Sequence, residues 1–199
     1  MYRILAMERL YGTGGREVCE KVAERLGVKL YDKNILSEAA ERLDVPAVYI
    51  KDLEETVQGS LLFNLYQTSL GGVSDRKNLP LSEKVFLEEK AVIEEKAEKE
   101  SFVILGRCAS WILRGREDVL RVFLYADTES RIKRTMEYEK TDEVRSENLM
   151  HKNDKRRHDF YEAHTDAKWE AKSGYDLCLN SAALGIDKCV DIIVSMMKK

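Results

Sequence analysis

Arg3-Ile4-Leu5-Ala6-Met7-Glu8-Arg9-Leu10-Tyr11-Gly12-Thr13-Gly14-Gly15-Arg16-Glu17-Val18 is the stretch on which the fold turns. Arg3 to Met7 is a short apolar run and reads as a buried strand. A glycine-rich turn follows at Gly12 to Gly15. Beyond it Val18, Val22, Ala23 and Leu26 recur at helical spacing, and Gly27 closes that helix. Strand, glycine turn and helix in succession form an anion-binding device. Glycines let backbone N–H groups converge on phosphate oxygens, and the helix N-terminus adds partial positive charge. A plain flexible connection between strand and helix has the same pattern, so the turn needs support from elsewhere in the chain.

Working outward, Val28 to Tyr31 reads as a second strand ending on Asp32, and Ile35 to Leu43 as a helix. Asp44 to Pro80 shows no clean period and reads as a helical insertion with a mobile loop around Gly71 to Pro80. Leu81 to Lys99 is a strong helix with Ser82 as a cap. Phe102 to Leu105 is a strand followed by Gly106-Arg107. Leu120 to Tyr125 is another, after which Asp127 or Thr128 caps a basic helix. Leu177 to Leu179 is a last short strand, and Ile186 to Met197 a closing helix. Strands alternating with helices call for a three-layer α/β fold, a parallel sheet covered on both faces. Ligands in such sheets bind at the carboxyl ends of the strands, where the glycine turn, Asp32 and Arg107 all fall.

Two nucleotide-binding patterns can be tested on the turn. Gly12, Gly14 and a strand-end acid at Asp32 match a dinucleotide-binding fingerprint in part, but its third glycine position holds Glu17, which would obstruct close helix–strand packing. The P-loop pattern G-x-x-x-x-G-K-[ST] also matches in part. Its lysine position falls on Gly15 or Arg16 depending on register, and Glu17 stands where a Ser or Thr would ligate magnesium.

The 199 residues fit a single domain, 1–199, able to bury a core without staples. A net charge of -3 argues against a protein that coats nucleic acid. Arg131 to Arg157 is nevertheless locally basic and suits a small anionic ligand. Cys19, Cys108, Cys178 and Cys189 form no C-x-x-C pair and sit in apolar segments, as reduced cysteines of a cytoplasmic protein do. Next to Arg107, Cys108 reads as a small buried residue or a partly activated thiol. His151, His158 and His164 lie in one polar stretch and read as exposed, so no metal cluster is expected. No signal peptide or long apolar run is present, so no membrane partner is expected. Assembly into a homo-oligomer stays open.

Tyr11-Gly12-Thr13-Gly14-Gly15-Arg16-Glu17, then Leu26-Gly27 and Tyr31-Asp32-Lys33, resemble the cytidylate kinase-like family. The resemblance continues through Val103-Ile104-Leu105-Gly106-Arg107-Cys108-Ala109 and Val122-Phe123-Leu124-Tyr125-Ala126, with Arg131 and Arg134 just after. Asp154-Lys155-Arg156-Arg157, Trp169 and Tyr175-Asp176-Leu177-Cys178-Leu179-Asn180 complete it. It implies a P-loop nucleoside monophosphate kinase fold with an insertion lobe over about 34–100 and a basic lid over about 128–170. It implies ATP and Mg2+ as cofactors and a small phosphorylated acceptor, CMP or dCMP first. In true cytidylate kinases a Gly-Arg-Asp segment holds the acceptor; here Gly106-Arg107 matches and Cys108 replaces the acid. The rival is a nucleotide-binding regulatory protein with little catalysis, favoured by the missing lysine and Ser/Thr.

Phosphoryl transfer needs two phosphates held in line and positive charge around the migrating group. Gly12, Thr13, Gly14, Gly15, Arg16 and Glu17 are the candidate cradle, with Arg131 and Arg134 beside the nucleotide. Arg16 or Lys33 is the candidate substitute for the lysine, and Arg107, Arg131 and Arg157 the further charges. Arg131 and Arg134 share a helix face, and Asp154 is placed to pair with Arg157. A solvated basic face is the plain alternative for this stretch. Asp32 is either a helix cap or a group that holds a magnesium-bound water or the acceptor. Tyr161, Trp169 and Tyr175 read as packing rather than as base-stacking residues.

Overall fold

The computed structural model describes residues 1–46 and 79–198. Residues 47–78 of the expected insertion lobe, and with them most of the loop expected around Gly71 to Pro80, lie outside the described residues. In chain order the elements are β1 (Ile4–Arg9), α1 (Gly15–Leu26), β2 (Lys29–Tyr31), α2 (Lys33–Arg42), α3 (Leu81–Lys99) and β3 (Phe102–Leu105). Then come α4 (Ala109–Ile112), β4 (Val119–Tyr125), α5 (Thr128–Glu139), α6 (Glu143–His164), a short 3-10 turn (Lys172–Gly174), β5 (Leu177–Asn180), α7 (Ser181–Leu184) and α8 (Ile186–Met197). The five strands form one parallel sheet in the order β2-β3-β1-β4-β5.

Successive strand residues point to opposite faces, and here both faces are covered. Ile4 and Ala6 of β1, with Phe102 and Ile104 of β3, pack on Ile35, Phe86, Ile93 and Trp169. Leu5, Met7, Val103 and Leu105 pack on the other side against Val18 and Val22 of α1 and Val190 and Ile193 of α8. Because β1 is central and its neighbour β3 comes later in the chain, the chain direction switches beside β1. That switch opens a crevice at the carboxyl ends of β1 and β3.

β1 runs two residues beyond the apolar run, through Glu8 and Arg9, because Arg9 still pairs with Leu124 of β4. α2 begins two residues earlier than its apolar pattern, at Lys33. The N-cap of α3 is Pro80, not Ser82, which lies inside the first turn. His151 and His158 are exposed, but His164 is buried, contrary to expectation. Its ring lies against Phe86 and Phe160, with centroids 4.4 Å away in both cases, and burial pushes its pKa down. Trp169 packs edge-on and Tyr175 at a tilt against Phe123, and the Tyr175 hydroxyl donates to the Trp169 carbonyl at 2.5 Å. Tyr161 is buried too, so all three of these aromatic residues belong to the core.

Candidate functional site

The turn after β1 is built by two left-handed glycines, Gly12 (φ 77°) and Gly14 (φ 78°). A Cβ on Gly12 would stand 2.7 Å from the Arg131 carbonyl oxygen and 2.8 Å from Thr135 Oγ1, so the turn lies directly on α5. Arg131 Nε of α5 donates to the Tyr11 carbonyl (2.7 Å), the Tyr11 amide donates to Asp154 Oδ1 of α6 (2.7 Å), and within the turn the Thr13 hydroxyl donates to the Leu10 carbonyl (2.8 Å). Gly14 is the N-cap of α1 and offers no side chain to the helix. The first amides of the helix are therefore open to an anion. Gly12→Ala is expected to lower stability by roughly 2 kcal/mol, through a left-handed alanine and its collision with α5. Gly27→Ala is the control, since Gly27 is also left-handed (φ 65°) but a Cβ there meets nothing within 4 Å. Thermal melting of the two variants checks this, with the larger fall at Gly12.

A cleft of about 700 Å³ runs from this turn past the ends of β1, β2 and β3 to α6. Arg16 lines it and pairs with Asp32 across 2.9 Å and with Glu20 across 3.5 Å. Asp32 occupies the N-cap position of α2, yet its carboxylate makes no cap bond and faces Arg16 instead. Lys33 also lines the cleft and is exposed. At the inner end stands Arg107, whose guanidinium lies 3.2 Å from the buried Glu89 carboxylate of α3. Burial pushes the Glu89 carboxyl up and holds Arg107 down, to about 10. Arg107 (φ 63°) and Cys108 (φ 54°) are consecutive left-handed residues with side chains, a strain of about 1–2 kcal/mol each that marks functional turns. Cys108 is buried, which pushes its thiol well above the usual range and disposes of the activated-thiol reading. Arg157 donates to the Arg9 carbonyl at 3.2 Å and lies over the Tyr11 ring.

The cleft thus gathers Gly12, Thr13, Gly14, Gly15, Arg16, Glu17, Asp32, Lys33, Arg107, Arg134 and Arg157 from the sequence reading. Arg131 is not on its wall. Both ends of its guanidinium are engaged, by the Tyr11 carbonyl and by Asp154, so Asp154 pairs with Arg131 and not with Arg157. Arg131 is a staple between the turn and α6 where a phosphate contact was expected. Arg134 reaches Glu17, which ties α5 to the first turn of α1. Glu8, Arg9 and Glu89 were not singled out. Glu8 and Arg9 follow an apolar run and read as its end. The signal for Glu89 was its place on the apolar stripe of α3, between Val85-Phe86 and Val92-Ile93.

The donor set suits a phosphate chain, since open helix amides and several guanidinium groups line the same cleft. Among the described residues no group of three His, Cys, Asp or Glu could hold a metal. The cleft nevertheless fits a magnesium ion carried in by phosphates, which commonly needs only one or two carboxylates. Asp32 lines the cleft, as do Glu8, Glu17 and Glu20.

The model of the cytidylate kinase-like family matches residues 4–183. The chain belongs to the cytidylate kinase-like family. Among solved structures, this family member is similar to an uncharacterized protein from Eubacterium ventriosum ATCC 27560, with 28% identity, a TM-score of 0.74 and 98% of each chain covered. It is also similar to a shikimate kinase from Bacteroides thetaiotaomicron, with 14% identity, a TM-score of 0.53 and 98% of each chain covered. At that identity the likeness concerns the fold, which is kinase-like with a five-stranded parallel sheet. Comparison with curated proteins gives no match. Among the described residues no helix is long and apolar enough to cross a membrane.

Proposed function

We propose that the protein transfers the γ-phosphoryl group of ATP to a small phosphorylated acceptor, with CMP or dCMP as the first candidate. One observation carries this reading: the glycine turn and Arg107 line one cleft. The amides of α1 receive the nucleotide's phosphates, and the Arg107 fork suits the acceptor phosphate bidentately. Arg157 and Lys33 add charge along the path between them, where negative charge spreads in the transition state. Magnesium held by Asp32 would neutralise charge on the β- and γ-phosphates. The sheet fixes the Arg107 backbone through the Gly106 amide, which donates to the Met7 carbonyl at 2.8 Å. The Arg107 side chain is largely shielded from water, so an acceptor held there competes better with hydrolysis.

A second reading has its own support. Arg16, Arg107 and Arg134 each already face a carboxylate, a pattern that suits binding more than turnover. On that reading the protein binds nucleotide and regulates a partner. Incubating it with ATP·Mg and a panel of nucleoside monophosphates while following ADP formation separates the two. Turnover that depends on one acceptor is the expected result. ATP binding with no turnover across the panel would favour the regulator.

A further inference from the structure

A P-loop carries a lysine directly after its second glycine and another glycine five residues before it. With Gly14, the N-cap of α1, as the second glycine, the lysine position is Gly15 and the first glycine position is Arg9. These two departures meet in space. A Cβ on Gly15 would lie 2.8 Å from Arg9 Cγ and 3.1 Å from Arg9 Cβ, so the Arg9 stem occupies the room a side chain at Gly15 would need. The guanidinium runs on to Gly106, where a Cβ would meet Nη1 at 2.5 Å. Arg9 lines the cleft. Arg16, Arg107 and Arg134 on the same cleft each face a carboxylate. The Arg9 guanidinium forms no hydrogen bond or ion pair among the described residues, although its charge acts on the buried Glu8 beside it.

We propose that Arg9 stands in for the P-loop lysine, reaching across Gly15 from the strand side to hold the β- and γ-phosphates of the nucleotide. The inference rests on the reading that this cleft binds a triphosphate. The lysine-to-glycine change at Gly15 makes room for the arginine, and the arginine restores the charge. A guanidinium also grips phosphate with two parallel N–H bonds where an ammonium offers a point charge. The sequence places this charge on Arg16 or Lys33; Arg16 faces Asp32, and Lys33 lines the same cleft as an exposed residue.

Calorimetric titration of ATP, ADP and AMP, each with magnesium, tests the proposal on four proteins: wild type, Arg9→Met, Gly15→Lys and the double variant Arg9→Gly/Gly15→Lys. Methionine keeps the stem's bulk against Gly15 and Gly106, so its effect reports the charge. Arg9→Met is expected to weaken ATP and ADP at least about tenfold and leave AMP within about twofold. Gly15→Lys alone is expected to bind ATP worse than wild type because its stem meets Arg9, and the double variant to bind better than either single one. Unchanged ATP affinity in Arg9→Met, equal loss for AMP, or a double variant no better than the singles would overturn the role of Arg9. A wild-type protein that binds neither ATP nor ADP would instead remove the triphosphate reading, and the proposal with it.

Discussion

Replacing Arg107 with alanine is expected to weaken CMP binding about 10- to 100-fold, the loss typical of a hydrogen-bonded charge. It is also expected to destabilise the protein. Removing one partner of a buried pair commonly costs roughly 3–5 kcal/mol because the other charge is stranded. Glu89 would be that stranded group, at 3.2 Å from the guanidinium and nearly inaccessible to water. Its carboxyl is already pushed up by burial, so it takes up a proton readily and the loss should fall at the lower end of that range. Glu89→Gln separates the two effects. It leaves the guanidinium in the cleft without its carboxylate, so CMP binding should hold or improve while stability falls less. Arg107→Lys should not restore CMP affinity, since an ammonium cannot reproduce the fork. Calorimetry and thermal melting read both quantities. Unchanged CMP affinity in Arg107→Ala would remove Arg107 from the acceptor site.

Arg131→Ala is expected to act on the fold first and on nucleotide binding second. The Arg131 guanidinium joins the Tyr11 carbonyl to Asp154, and Asp154 in turn accepts from the Tyr11 amide. One side chain of α5 thus fastens the glycine turn to α6. Its loss should cost on the order of 3 kcal/mol and lower the melting temperature by about 10 °C. Asp154→Asn should fall in the same way, and the double variant should lose less than the sum, because both act in one network. ATP affinity should drop only as far as the turn loosens. A sharp loss of ATP binding with unchanged melting would mean that Arg131 touches the nucleotide after all.

The helices Leu81–Lys99 and Ile186–Met197 and the strand Phe102–Leu105 coincide with their sequence patterns residue for residue. Each is a strongly periodic or uninterrupted apolar segment with a clear end. Strand ends that carry charge were harder. Glu8 and Arg9 continue β1 because the backbone pairing with β4 continues, and no side-chain pattern reports that. The same blindness concealed Arg9 as a candidate ligand, since a charged residue after an apolar run reads as its boundary. Asp32, Lys33 and Arg107 were legible because the ends of parallel strands are where ligands bind. The Glu89–Arg107 pair and the Arg131–Asp154 staple were not. The apolar stripe of α3 signals that Glu89 is buried, but its partner Arg107, like a partner 23 positions along the chain, is visible only once the elements are packed.

The central claim is that the cleft moves a phosphoryl group from ATP to an acceptor held at Arg107. Incubation with γ-labelled ATP, magnesium and CMP or dCMP, followed by separation of the nucleotides, tests it most directly. The expected result is label on the acceptor as a nucleoside diphosphate with wild-type protein, and far less with Arg107→Met. Label released only as inorganic phosphate, or transferred equally well without Arg107, would contradict it.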